Sequence, residues 1–84
     1  VIEPNYDLIR PEIMRALKDY GEKHRATGGF LRSVLENDLM QAFGRADEDN
    51  VVALFHIVNY IYNEMPSRCW GSREAVDAWL KEKT

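Results

Sequence analysis

From residue 11 to residue 62 the apolar positions of this chain recur every three or four residues and nowhere alternate, the pattern of helices packed by one face rather than of strands. Ile13, Met14, Leu17 and Tyr20 form the first row. It starts behind Pro11, whose missing N–H costs nothing at a first helical position, and Glu12, which suits the positive end of the helix dipole. It runs out between Gly21 and His24, so a helix is predicted over 11–23. The ATGG segment at 26–29 is a break, with Thr27 as a candidate cap and two glycines that permit unusual backbone angles. Beyond it Leu31, Val34, Leu35, Leu39, Ala42 and Phe43 predict a second helix over 29–43, stopped by Gly44 at the left-handed terminating position.

Asp47 then reads as an N-cap, with Glu48 and Asp49 adding negative charge to the first turn of a helix over 48–63. Val51, Val52, Leu54, Phe55, Ile57, Val58, Ile61 and Tyr62 cover most of its circumference, which predicts a central helix buried all round. Pro66 closes it. After the loop EMPSRCWG, Ser72 is the natural N-cap of a fourth helix over 73–82, with Val76, Trp79 and Leu80 facing inward. The opening VIEPNYDLI has a proline and no helical period, so residues 1–9 are expected as an extended arm laying Ile2, Tyr6, Leu8 and Ile9 over the core. The expected fold is all-α: one domain over 1–84, a compact four-helix orthogonal or irregular bundle around the third helix. Leu35, Phe55, Val58 and Trp79 are expected among its most buried residues.

Composition narrows the function. A single cysteine forms no intramolecular disulfide, which favours a reducing compartment, and no apolar run approaches the roughly 20 residues that cross a bilayer. With no recognisable signal peptide, a cytoplasmic location is expected. A net charge of -3 disfavours nonspecific nucleic-acid binding. The charge is uneven, however: residues 10–32 hold six Lys or Arg against three acids, and residues 36–64 hold six acids against Arg45 alone.

Candidate chemistry is sparse. Cys69 has only His24 and His56 as possible bases, neither in a nucleophile motif, and one Cys with two distant His falls short of a structural zinc set. Gly28-Gly29 lacks a P-loop lysine. No catalytic residue, metal or cofactor is expected. Two constellations suit partner binding. His56, Asn59, Tyr60 and Asn63, spaced i, i+3, i+4, i+7, share one stripe that serves either internal hydrogen bonds or a binding groove. Arg68 and Trp70 are of the types enriched at binding hot spots, although a Trp just before a helix cap also serves as a lid on the core. A DNA-binding alternative rests on the basic end, with Lys23, Arg25 and Arg32, but the helix after the TGG turn would present Arg32, Ser33, Glu36, Asn37 and Gln41, a carboxylate among them.

The words GGFLRSVLENDL, AFGRADEDN and YNEMPSRCWGSREAVDAWL resemble small all-helical accessory proteins of tailed phages and prophages, a likeness that covers Pro11 to Leu80. The resemblance implies a bacterial cytoplasm as the working place and a role exercised by binding a host or phage macromolecule; it brings no catalytic residues. The function expected is therefore non-enzymatic binding of a protein partner, with a DNA-associated regulator as the alternative.

Overall fold

Short polar side chains set most of the helix starts. The computed structural model describes residues 5–82 and contains five α-helices among them: α1 (Pro11–Lys23), α2 (Gly29–Leu35), α3 (Leu39–Arg45), α4 (Glu48–Glu64) and α5 (Arg73–Lys81). Single 3-10 turns lie at Tyr6–Leu8 and Ser67–Cys69, and the described residues hold no strand. The fold is all-α. Pro11 opens α1; Asp47 caps α4 through the Asn50 N–H (2.9 Å) and Ser72 caps α5 through the Ala75 N–H (3.0 Å), as their positions before apolar runs predict. The radius of gyration, 12.0 Å, matches the about 12 Å of a single compact domain of this length.

The segment expected as one helix over 29–43 is two. Asn37 takes the left-handed conformation (φ 63°), the Asp38 N–H reaches back to the Ser33 carbonyl (2.9 Å) and the Asn37 N–H to Val34 (3.0 Å), the paired bonds of a Schellman termination. Asp38 at once caps the next helix, accepting from the Gln41 N–H (3.2 Å). Gly44 consequently stops nothing: it lies inside α3, which runs to Arg45. Thr27 does not cap α2 either, because Gly28 holds that position and the Thr27 hydroxyl donates to the Gly28 carbonyl.

The expected arm is also corrected. Its described part is a 3-10 turn capped by Asn5, with Ile9 buried but Leu8 turned to solvent; Ile2 lies outside the described residues.

The core is assembled from Leu17 and Tyr20 of α1, Leu31 and Leu35 of α2, Ala53, Ile57 and Ile61 of α4, and Val76 and Trp79 of α5, with Cys69 beneath the last loop. That loop is pinned at Gly71, whose N–H meets the Leu35 carbonyl at 2.7 Å and whose φ of +110° strains any other residue. Leu35 and Trp79 are buried as expected. Phe55 and Val58 are not: each is 44% exposed. The helix apolar all round is buried along one side only, because the other helices cover the Ala53, Ile57 and Ile61 face and leave Val51, Val52, Phe55, Val58 and Tyr62 in solvent.

Candidate functional site

Sequence patterns singled out a corner, a stripe and a basic end, and the structure treats each differently. The corner around Cys69 is closed by reciprocal bonds. The Tyr20 hydroxyl donates to the Cys69 carbonyl (2.7 Å), the Trp79 indole N–H donates to the Tyr20 carbonyl (2.7 Å), and His24 Nδ1 meets the Trp79 carbonyl at 2.8 Å, which requires that nitrogen to carry the proton. His24 caps α1 in the left-handed conformation and stacks its ring on Trp79, centroids 4.1 Å apart. Arg68 also brings its guanidinium to 4.9 Å of the Trp79 centroid, held there by a two-pronged pair with Glu82 at 2.9 and 3.2 Å. Burial pushes the Cys69 thiol up to about 11, so at neutral pH it is a protonated filler and not a nucleophile. Burial likewise drives the Tyr20 phenol well above its ordinary range.

The polar stripe of α4 is divided. His56 is buried and its Nδ1 accepts the Asn5 N–H at 3.0 Å; Tyr60 packs edge-on against Tyr6 with centroids 5.2 Å apart. These two dock the 3-10 turn Tyr6–Leu8. Asn59 and Asn63 bond along their own helix, Asn59 to the Phe55 carbonyl and Asn63 to Asn59. The stripe is thus spent on internal bonds, and none of its four members lines a cleft.

At the basic end Arg10, Lys23, Arg25 and Arg32 enter ion pairs, whereas Arg15 and Lys18 enter none among the described residues. Lys23 and Arg25 both lie 3.8 Å from Asp19, and Arg32 bridges α2 to α5 by bonding Glu36 (2.8 Å) and Asp77. Ser33, expected outward, is buried and accepts from Arg45 (3.2 Å), which ties the end of α3 back to α2.

What the patterns missed lies between α3 and α4. Between α3 and α4 runs a groove of about 300 Å³, walled by Leu39 and Ala42 on one side and Leu54, Val58 and Tyr62 on the other. Trp70 closes one end, half-buried, its ring 5.7 Å from that of Tyr62 and its indole N–H 3.5 Å from the Met65 carbonyl. Of the corner candidates, Trp70 alone reaches this groove; Arg68 does not. Beyond the rim, Met40 and Phe43 of α3 and Val51, Val52 and Phe55 of α4 continue the apolar surface into solvent. Comparison of the chain with protein-family models, with curated proteins and with solved structures found no match.

The exposed row of α4 runs along one wall of the groove, sharing Val58 and Tyr62 with it. Val51, Phe55, Val58 and Tyr62 are spaced four, three and four, so they form one straight seam along α4, the interval at which a second helix meshes its side chains. The same helix spends a second row, Ala53, Ile57 and Ile61, on the core. A helix with two apolar rows has one more than its own fold uses. A signal was therefore present in the sequence, in the four-three-four spacing, but it was merged with the core row into a single reading of burial. No metal-holding group of three or more His, Cys, Asp or Glu occurs among the described residues, and no helix among them is long and apolar enough to cross a membrane.

Proposed function

We propose that this chain is a non-enzymatic interaction protein that receives a helical segment of a protein partner along the groove between α3 and α4. The observation that carries the reading is the continuous row of large exposed apolar side chains beside that groove, on a domain small enough that each of them would otherwise add to its core. Monomeric proteins scatter such residues singly; a contiguous, groove-centred patch marks a binding surface. Catalysis is disfavoured by the state of the one thiol, buried, protonated and bonded into a closed corner. The DNA-regulator alternative loses support because Lys23, Arg25 and Arg32 are each engaged with carboxylates. By the resemblance noted above, the partner belongs to the host or the phage and is met in the bacterial cytoplasm, in a host-takeover or counter-defence role.

The test is capture from a bacterial lysate with the parent and with Phe55→Gln/Val58→Gln side by side. A protein recovered by the parent and lost with the variant is the expected result. Recovery by both equally, or dependence on Lys23, Arg25 and Arg32 with loss of DNA retention as salt rises, contradicts it.

A further inference from the structure

The charges around the groove specify the occupant further. Helix α4 carries three acids, Glu48, Asp49 and Glu64, and neither Lys nor Arg along its whole length. Asp38 is the one charged residue lining the groove, and Glu48 stands one turn before Val51 and Val52 at the far end of the seam. Among the described residues neither Asp38 nor Glu48 enters an ion pair. The only cation of these two helices, Arg45, is turned back onto the Gly29 carbonyl and the Ser33 hydroxyl of α2. The seat is therefore apolar along its floor and negative at its ends.

We infer that the occupant is a basic amphipathic helix: apolar residues at a three-four spacing to mesh with Val51, Phe55, Val58 and Tyr62, flanked by Lys or Arg that meet Asp38 and Glu48. This deepens the proposed function and rests on it. A second copy of the chain fits less well. Two α4 seams laid parallel would bring Glu48 against Glu48, and laid antiparallel Glu48 against Glu64; Arg10 engages Asp47 and Asp49 at this end but not Glu48, so either pairing sets carboxylate against carboxylate without a Lys or Arg on α4 to relieve it. An anionic bilayer surface is repelled for the same reason, since helices that lie on membranes carry their Lys and Arg beside the apolar face. With complementary charges the occupant gains both orientation and a faster encounter.

The experiment is selection of a displayed library of 18-residue helical peptides, with apolar residues allowed at the seam positions and all charges randomised at the flanks, against the immobilised parent. The expected result is enrichment of Lys- and Arg-flanked peptides. Affinity of a selected peptide should fall at least about tenfold on Phe55→Gln/Val58→Gln, and by a few-fold, with a shallower salt dependence, on Asp38→Asn/Glu48→Gln; the Asn retains capping of α3. Circular dichroism of both variants checks that they remain folded. Peptides with acidic or neutral flanks that still lose binding on the Phe55/Val58 variant would overturn the basic occupant and leave the groove reading standing. No enrichment, or enrichment indifferent to the Phe55/Val58 variant, would overturn both. So would sedimentation showing a dimer that the Phe55/Val58 variant dissociates, which would give the seam to a second copy.

Discussion

Aromatic and aliphatic residues are put to opposite ends at the Cys69 corner and along the α3–α4 face. At the Tyr20, Trp79 and Cys69 corner each polar atom of the aromatic side chains has a named partner, and Trp79 is 5% exposed. Along the α3–α4 face the side chains are equally apolar, yet Val58 and Phe55 stand half in solvent and Met40 is 79% exposed. The difference lies in the polar partners. A buried Tyr or Trp must have its hydroxyl or N–H satisfied, so a closed set of such bonds marks a core, whereas an apolar row with no such bonds is equally consistent with a core and with an unfilled interface.

The largest expected effect sharpens this contrast. Trp79→Ala removes a packed ring, a buried hydrogen bond and the surface on which His24 and Arg68 rest, and should cost about 3 to 5 kcal/mol by urea denaturation, close to the whole stability of so small a domain. Phe55→Ala, the deletion of a ring of comparable kind from the open side, should cost less than about 1 kcal/mol. Equal losses would break the comparison. Trp70 belongs to both sides, half under the corner and half in the groove, and Trp70→Ala should fall between them, about 1 to 3 kcal/mol.

How far this was legible beforehand follows from particular residues. Pro11, Asp47 and Ser72 each sit before an apolar row and cap or open the helix that their positions predict, because capping is a local interaction. The break at Asn37 was hidden by register: Leu35 and Leu39 are four apart, so the apolar row runs unbroken across a joint at which the backbone reverses hand. Asn followed by Asp was the available signal, one tolerant of the left-handed region and the other a cap. For Phe55 and Val58 local pattern had no power to decide, since burial there depends on whether another helix arrives. The corner was legible in outline, as Ser72 marked a helix start and Trp70 just before it a candidate lid on the core, but Tyr20 and His24 reach it from 49 and 55 residues away.

Smaller effects test the corner and the caps. Ser72→Ala should cost about 1 kcal/mol and Arg68→Ala within about 0.5 kcal/mol, the latter because its pair with Glu82 is solvent-exposed. Cys69 gives a pH dependence with a definite sign. Its folded thiol titrates near 11 against an ordinary 9.0, so the unfolded chain ionises first; stability is intact below about pH 8.5 and is lost progressively as pH rises toward 11. Cys69→Ala should flatten that decline, and an unchanged slope would show the thiol to be accessible. At acid pH the sign reverses for Asp47, whose carboxyl is held below its ordinary value by the Asn50 N–H and by Arg10. The stability it contributes is present above about pH 4 and is lost as pH falls through its folded value, a loss that Asp47→Asn should reduce.

The seam of α4 is folded without being covered, and the urea midpoint of Phe55→Gln/Val58→Gln reports on this alone. Two glutamines on an uncovered helical face leave the fold's hydrogen bonds and core intact, so at low micromolar concentration the variant should unfold within about 1 kcal/mol of the parent. Two buried amides in a core would forfeit several kcal/mol and unfold a domain of this size. A variant that is unfolded, or that loses more than about 3 kcal/mol, would contradict the account and return Phe55 and Val58 to the core.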